Sequence, residues 1–264
     1  MTPDLVATME RSAAAVAVAM GLLWLVSLRL RDASIADVFW GSGFAMVAWV
    51  AAAGNSGAEP RRSLALALVT VWGLRLSLHV ASRNLGHGED ARYQAMSRGH
   101  GERFWWVSLF TVFLLQGLLL WVISLPLQAV EVASGPPGLG WLDGIGISLW
   151  VLGFLFEAVA DLQLRRFKAD PASRGKVLDT GLWRYTRHPN YFGDALLWWG
   201  FGALALATGA WWALASPAVM TFLLVRVSGV ALLEKDIGER RPGYRAYVAR
   251  TSAFVPWLRR EGKP

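Results

Sequence analysis

The stretch that decides the fold is Gly181-Leu-Trp-Arg-Tyr-Thr-Arg-His-Pro-Asn-Tyr-Phe-Gly-Asp194. It is dense in cations, aromatic rings and hydrogen-bonding groups, yet it lies between the long apolar segments 142–164 and 191–207. Such groups are costly to place inside a bilayer, so they mark functional sites there. The residue types predict a site for an anionic, ring-containing ligand at the mouth of a membrane helix. The alternative is an aromatic and arginine anchor at the membrane interface.

Composition places the chain among polytopic membrane proteins. Of its 264 residues 55% are hydrophobic and 17% are charged, and 15 are Trp, a residue that favours membrane interfaces. The chain has no Cys, which excludes disulfides and thiolate metal sites, and with four His residues in all we expect no metal centre. In a soluble protein the net charge of +7 would suggest nucleic acid as a partner. Here it indicates arginine-rich cytoplasmic loops instead.

Apolar segments of spanning length define an all-α fold, since a membrane helix needs about 20 mostly apolar residues. Seven segments qualify or nearly qualify: 12–28, 35–53, 64–81, 104–129, 142–164, 191–207 and 210–232. We therefore expect one seven-helix membrane domain over residues 1–264.

The distribution of cations predicts the topology. With the N-terminus outside, the outer connections hold Arg11, Arg61 and Arg62, whereas most other Lys and Arg residues fall in inner segments. The positive-inside rule then puts the C-terminus in the cytoplasm. Segments 82–103, 165–190 and 234–264 form the elaborated cytoplasmic side, where we expect the cofactor. A bacterial inner membrane is the expected location.

The chemistry of the opening stretch suits a nucleotide, although the chain has no Walker motif and Gly144-Ile-Gly146 follows no strand. Arg184, Arg187 and His188 can pair phosphates, and Asn190 can donate and accept hydrogen bonds. The rings of Trp183, Tyr185 and Tyr191 can stack on a base. Pro189 forces an extended approach to the next helix, and Gly193 permits close backbone contact.

A polar face precedes this stretch on the fifth segment. Glu157, Asp161, Arg165 and Lys168 share one helix face that runs from the membrane into the cytoplasmic loop. The face is either an internal ion-pair ladder or one wall of a ligand cavity, which we favour because the cationic stretch follows. Arg226, near the inner end of the seventh segment, either snorkels or completes an anion clamp.

Several motifs together resemble the DUF1295 family, which is related to the C-terminal region of steroid 5α-reductases. They are Asp161-Leu-Gln-Leu-Arg-Arg-Phe-Lys168, the stretch 181–194, Leu233-Glu-Lys-Asp, Arg241-Pro-Gly-Tyr-Arg-Ala-Tyr247 and Phe254-Val-Pro256. Asp37-Val-Phe-Trp-Gly-Ser-Gly43 and Gly86-His-Gly-Glu-Asp-Ala-Arg-Tyr93 resemble the N-terminal half of that family.

The resemblance implies a seven-helix bundle that binds NADPH from the cytosolic side and reduces a carbon–carbon double bond. The substrate would be a hydrophobic, steroid- or isoprenoid-like enone that arrives from the bilayer. With the polar face included, the candidate cofactor contacts are Asp161, Arg165, Lys168, Arg184, Tyr185, His188, Asn190, Tyr191, Asp194, Arg226 and Glu234.

The reaction also needs a proton donor, and here the chain departs from the steroid reductases. Their third-helix tyrosine would fall near Val80, and their acidic partner has a loose counterpart in Asp37. We therefore take Tyr93, which is flanked by Glu89, Asp90 and Arg92, as the substitute donor, and keep Asp37 as the candidate catalytic acid. The alternative for the loop before Tyr93 is a solvated turn with local ion pairs.

Two other functions compete with the reductase. The chain also resembles isoprenylcysteine carboxyl and phospholipid methyltransferases, which share an Arg-His-Pro-x-Tyr-x-Gly motif and bind S-adenosylmethionine. Those enzymes carry paired glutamates where this chain has Glu234-Lys235, and a lysine disfavours a sulfonium. The third reading is a non-enzymatic lipid-binding bundle.

Overall fold

The computed structural model describes residues 2–54, 60–84, 86, 88–133, 135–227, 229–230, 234 and 243–259. These residues form helices joined by turns, with one isolated parallel β-bridge and no β-strand element among them. For this part of the chain the expected all-α fold is confirmed.

The helices are α1 (Pro3–Leu30), α2 (Ile35–Ala52), α3 (Pro60–Asn84), α4 (Ala91–His100), α5 (Phe104–Ser108), α6 (Leu115–Ile123), α7 (Leu125–Val132), α8 (Trp141–Ala169), α9 (Pro189–Leu206), α10 (Ala215–Phe222) and α11 (Tyr244–Arg250). Short 3₁₀ turns cover Gly101–Arg103, Pro171–Ser173, Gly181–Arg184 and Trp211–Leu214. Two segments are π-helical. Leu109–Leu114 joins α5 to α6, and Leu223–Val227 follows α10.

Among the described residues, five helical stretches are long and apolar enough to span a membrane: Pro3–Leu30, Ile35–Ala52, Pro60–Asn84, Ala91–Ile123 and Trp141–Ala169. They overlap the first five predicted segments, although the fourth begins earlier than predicted and ends at Ile123 instead of continuing to residue 129. The other two fall on α9, whose first turns carry polar residues, and on the shorter apolar stretch Trp211–Val227. The seven-span count and the orientation stay predictions.

Large apolar side chains cover the outer surface of these helices. They are exposed on α1 (Leu22, Leu25), on α3 (Leu78) and on α8 (Leu152, Leu155). Many large exposed apolar side chains on long helices are unfavourable in water but match lipid tails. Together with the five long apolar helices, it identifies an integral membrane protein.

The chain divides into two compact units. The first contains Met1–Gly140 and Leu204–Ala213, and the second contains Trp141–Ala203 and Leu214–Pro264. In the first unit α2 and α3 pack backbone to backbone, because a Cβ atom on Gly41 or Gly73 would meet the carbonyl oxygen of the other glycine. This close packing fixes α2, which carries Asp37 in its first turn.

In the second unit α8 and α9 cross through small residues. A Cβ atom on Gly153 would lie 2.5 Å from the carbonyl oxygen of Gly193, and one on Gly200 would lie 2.7 Å from the carbonyl oxygen of Gly146. Small residues at a membrane helix crossing allow the backbones to approach closely. The crossing sets Asp161 on α8 beside the start of α9, where the polar motif ends.

We expect Gly153→Ala to destabilise the protein, because the added methyl group would meet the α9 backbone. Overpacking of this kind costs about 1–3 kcal/mol, and the thermal midpoint of the detergent-solubilised protein should fall by a few degrees. Gly144→Ala on the same helix is the matched control, since a Cβ atom there has no neighbour within 4 Å. Equal midpoints for the two variants would contradict the close crossing.

Candidate functional site

The stretch 181–194, here called the motif, begins with a turn. It is hydrogen-bonded to α8 on one side and to the segment after α11 on the other. Gly181 has φ 60°, a left-handed conformation that suits glycine, and it begins the 3₁₀ turn Gly181–Arg184. The backbone N–H of Leu182 donates to Oε1 of Gln163 at 3.1 Å, and Nε1 of the buried Trp183 donates to the carbonyl oxygen of Ala160 at 3.2 Å. Both bonds fix the motif to the last turns of α8.

The second half of the motif, residues 185–188, passes through a turn, one bridge residue and a bend before α9 begins at Pro189. The backbone N–H of Arg187 donates to the carbonyl oxygen of Ser252 at 2.9 Å, next to the isolated bridge between Thr186 and Ser252. Proline is favourable at the first position of a helix because the missing N–H has no partner there. Pro189 therefore marks the start of α9, and the extended approach to it stays a prediction.

The Glu234 cluster consists of Arg187, His188, Glu234 and Tyr244. Nε of Arg187 lies 2.7 Å from Oε1 of Glu234 and Nη2 lies 2.9 Å from Oε2, so the guanidinium and carboxylate form a two-pronged pair. Nε2 of His188 lies 2.8 Å from the same Oε1, and the hydroxyl of Tyr244 donates to it at 3.2 Å. One carboxylate thus binds side chains from two separate parts of the second unit, the motif and α11.

Arg187 is buried and is held on its other side as well. Its Nη1 donates to the carbonyl oxygen of Thr251 at 2.7 Å and to that of Val248 at 3.3 Å. Tyr247 adds a bond from its hydroxyl to the carbonyl oxygen of Trp183 at 2.5 Å. Arg187 therefore links the motif to α11 and to the segment after it, and its guanidinium is engaged within the protein.

The charges of this cluster shift one another's pKa values. Burial raises the pKa of Glu234, but the hydrogen bonds from His188 and Arg187 and the charge of Arg187 outweigh it and lower the pKa to about 2. Burial and the nearby Glu234 carboxylate raise the pKa of Tyr244 above its ordinary value. Glu234 is therefore ionised and Tyr244 neutral near pH 7.

A second polar group lies where α8 meets α9. Nδ2 of Asn190 donates to Oδ1 of the buried Asp161 at 3.2 Å, and the ring of Tyr191 stacks on His188 with centroids 5.6 Å apart. Asp194 is buried one turn further along α9. The structure thus brings together Asp161, His188, Asn190, Tyr191 and Asp194, which the sequence assigned to one site.

The remaining candidate cofactor contacts are exposed at the surface of the second unit. Arg165 and Lys168 lie in the last turns of α8, Arg184 ends the 3₁₀ turn, and Tyr185 has an exposed ring. Arg226 is exposed on the π-helical segment Leu223–Val227. π-helical turns in membrane helices often mark functional positions. Residues 233, 235–236 and 241–242 of the expected motifs lie outside the described residues.

The Asp37 cluster lies in the first unit and consists of Asp37, Arg92, Tyr93 and Gln116. The hydroxyl of the buried Tyr93 donates to Oδ1 of Asp37 at 2.6 Å, and Nη2 of Arg92 lies 2.7 Å from Oδ2. Asp90 caps α4 by accepting from the backbone N–H of Arg92 at 3.0 Å, which sets the first turn that carries Tyr93. The structure therefore joins the proposed proton donor to its proposed acidic partner.

Gln116 is a member of this cluster that the sequence did not single out. Its Nε2 donates to the Tyr93 hydroxyl oxygen at 2.9 Å and to Oδ1 of Asp37 at 3.3 Å. It follows the π-helical segment Leu109–Leu114, which interrupts an otherwise α-helical span. A lone amide within a long apolar helix was the signal that could have pointed to it, because lipid-facing amides are costly.

Comparison with known proteins identifies the family. Residues 23–251 match the family described as "Protein of unknown function (DUF1295)", and the chain belongs to it. An uncharacterized protein of Schizosaccharomyces pombe is 27% identical over 90% of this chain and 76% of its own length. No solved structure matches the chain significantly.

Reductases are among the more distant relatives. A Delta(14)-sterol reductase of Ascobolus immersus is 32% identical over 47% of this chain and 30% of its own length. A very-long-chain enoyl-CoA reductase of Dictyostelium discoideum is 28% identical over 38% of this chain and 33% of its own length. The chain thus aligns with about a third of each reductase. These relatives are all eukaryotic and give no support to a bacterial membrane.

We expect Glu234→Gln to destabilise the protein near pH 7 by about 1–2 kcal/mol, after allowance for solvent screening of this partly exposed carboxylate. Because the folded pKa of Glu234 lies below its ordinary value of 4.5, the stabilisation is complete above about pH 4.5 and is lost as pH falls towards 2. The difference in thermal midpoint between wild type and variant should shrink over that range.

Asp170→Asn is the control for this measurement. Asp170 is exposed and accepts from the backbone N–H of Ala172, a cap that an asparagine preserves. Its midpoint should match wild type at every pH. A Glu234→Gln variant as stable as wild type at pH 7 would contradict the central role of this carboxylate.

Proposed function

We propose that this protein is a membrane reductase that uses NADPH to reduce a carbon–carbon double bond in a hydrophobic enone. The observation that carries the proposal is the bond between the Tyr93 hydroxyl and Asp37. A buried phenol held between a carboxylate and an amide is a proton-delivery group. Reduction of an enone needs such a group, whereas methyl transfer from a sulfonium does not. The reductase relatives support the same class of reaction.

The residues of the second unit fit a multiply phosphorylated cofactor. Arg165, Lys168, Arg184 and Arg226 are exposed cations, and guanidinium groups pair with phosphate through two parallel hydrogen bonds. The exposed ring of Tyr185 offers a stacking surface. We propose that these residues, with Asp161, Asn190, Tyr191 and Asp194, hold NADPH, while His188 and Glu234 shape the motif beside them.

The bound cofactor would supply a hydride to the β-carbon of the substrate. The chain's own task is then to bind the carbonyl oxygen and deliver a proton. The N–H of Gln116 occupies one side of the Tyr93 oxygen, so the phenolic O–H can turn from Asp37 towards a substrate oxygen about its own C–O bond. After Tyr93 gives up its proton, Arg92 and Gln116 stabilise the negative charge left on Asp37 and Tyr93.

The Glu234 cluster weighs against the methyltransferase. A sulfonium is attracted to an unpaired carboxylate, but the Glu234 carboxylate already pairs with Arg187 and bonds His188. Its charge is therefore largely compensated within the protein.

We also propose that the chain crosses the membrane seven times with the C-terminus in the cytoplasm, and that a lipid-like substrate enters from the bilayer.

Ligand stabilisation of the purified full-length protein tests the class of function. We expect NADPH to raise the thermal midpoint and S-adenosylmethionine to leave it unchanged. Arg226→Ala should weaken the NADPH effect about tenfold in concentration, as expected for one lost charged contact. Arg29→Ala, an exposed arginine at the end of α1, is the matched control. Stabilisation by S-adenosylmethionine alone would support the methyltransferase, and stabilisation by neither would support the lipid-binding bundle.

Tyr93→Phe tests the proton donor. This variant should keep the NADPH-induced rise in midpoint and lose about 10²–10⁴-fold in turnover, the usual contribution of a general acid. Turnover would be followed as NADPH oxidation with 4-cholesten-3-one or an unsaturated isoprenoid ketone. Gln116→Leu should show a smaller loss, because the phenol remains but its orientation is freed. Undiminished turnover in Tyr93→Phe would remove this residue from the mechanism.

A further inference from the structure

The segment Phe254–Arg259, here named the C-terminal strap, is fastened to the motif along its length. The hydroxyl of Thr186 donates to the carbonyl oxygen of Phe254 at 2.8 Å, and the backbone N–H of Trp257 donates to that of Tyr185 at 2.9 Å. Arg259 closes the strap with a 2.8 Å ion pair to Asp179. The backbone of the strap is therefore held in one place.

Its side chains nevertheless face outwards. Val255 is 57% exposed, Trp257 69% and Leu258 76%. A segment that is ordered by backbone bonds has no need of three large apolar side chains on its free surface. Clusters of exposed apolar groups on an ordered segment indicate a surface that another molecule covers.

The strap lies at the cationic end of a membrane-spanning helix. Phe254 packs edge-on against Phe192 in the first turn of α9, with ring centroids 5.9 Å apart. The motif beneath it is bonded to Ala160 and Gln163 on α8, and the exposed Arg165 and Lys168 follow within two turns. Tryptophan and arginine at the end of a span are typical of the headgroup layer of a bilayer.

A cleft of about 410 Å³ opens beside the strap and joins its apolar and basic groups. Trp257, Leu258 and Val248 line it together with Arg187, Arg250, Thr251 and Ser252, and most of its accessible lining is polar. Arg187 is paired with Glu234, and Arg250 is a second cation in the described lining. A polar cleft that contains a cation and borders exposed apolar side chains matches the headgroup of an anionic phospholipid.

We propose that the C-terminal strap docks into the membrane surface, with an anionic phospholipid in the cleft beside Arg250, Trp257 and Leu258. The proposal rests on the membrane location of the protein and not on the reductase activity. Docking has a consequence for the Glu234 cluster, because Thr251 and Ser252, which precede the strap, accept bonds from the side chain and backbone of Arg187. A lipid bound beside the strap would therefore contact the segment that holds Arg187.

The absence of cysteine from the whole chain allows a direct test. Val255→Cys and Leu258→Cys would each be labelled with bimane in the full-length protein and reconstituted in vesicles of phosphatidylcholine with or without 30% phosphatidylglycerol. Ala172→Cys, at an exposed position of the turn Pro171–Ser173 in the same unit, is the control. Quenching by iodide in water is compared with quenching by lipids that carry a nitroxide near the headgroup.

For each label we take the ratio of quenching by the nitroxide lipid to quenching by iodide. We expect this ratio to be at least threefold higher for the strap labels than for the Ala172→Cys label. Phosphatidylglycerol should increase this ratio, and Arg250→Ala should abolish the increase without affecting the ratio in phosphatidylcholine. Phosphatidylglycerol should also raise the thermal midpoint of the unlabelled wild-type protein in detergent, which tests the cleft without any label.

Strap labels that are as accessible to iodide as Ala172→Cys in both membranes would overturn the proposal. So would protection that depends on protein concentration in lipid-free detergent, because that result would assign the surface to a second copy of the chain. Failure of NADPH to bind would leave the lipid result unchanged, so the two proposals fail independently.

Discussion

The pair between Arg187 and Glu234 is the interaction on which the second unit depends. A charged pair withdrawn from water is stable only when its remaining donors and acceptors are also satisfied. Here His188 and Tyr244 bond the carboxylate, and the carbonyl oxygens of Val248 and Thr251 accept from the guanidinium. Because these partners come from distant parts of the sequence, satisfying one charge pair brings the motif, the end of the seventh segment and α11 together.

In the first unit the carboxylate of Asp37 is also satisfied by several donors, but these donors differ in kind from those of Glu234. Arg92 bonds one oxygen of Asp37 there, and two neutral groups, the hydroxyl of Tyr93 and the amide of Gln116, share the other oxygen of that carboxylate. A phenol in contact with both an acceptor and a donor has a defined orientation. The Glu234 carboxylate is paired with a guanidinium through both of its oxygens, whereas one oxygen of Asp37 accepts from neutral groups. The proposed roles follow this difference: the Glu234 cluster holds the motif in place, and the Asp37 cluster is the proposed proton donor.

Sequence patterns predicted the features that depend on neighbouring residues, namely the long helices and the start of one helix. Apolar runs gave the five long helices, and Pro189 gave the start of α9. Tyr93 and Asp37 were each singled out beside the family resemblance, but their contact was not predicted, since no periodicity relates a first-turn residue of α2 to one of α4. Arg187 was expected to be available for phosphate. It is buried because Glu234, 47 residues later, reaches it in the fold. Gln116 was missed for the same reason, as its role arises from contacts with α2 and α4.

The internal use of Arg187 changes which charges a ligand can meet. With Arg187 and Glu234 compensating each other, the exposed cations of the second unit that a ligand can meet include Arg165, Arg184 and Arg226. These cations suit a ligand with several negative groups and not a sulfonium. Attraction by exposed cations is screened by salt, whereas the buried pair is screened much less. The affinity for an anionic cofactor should therefore fall as ionic strength rises, whereas the stability of the motif should change little. Ligand binding and the fold of the motif thus depend on different charges of the second unit.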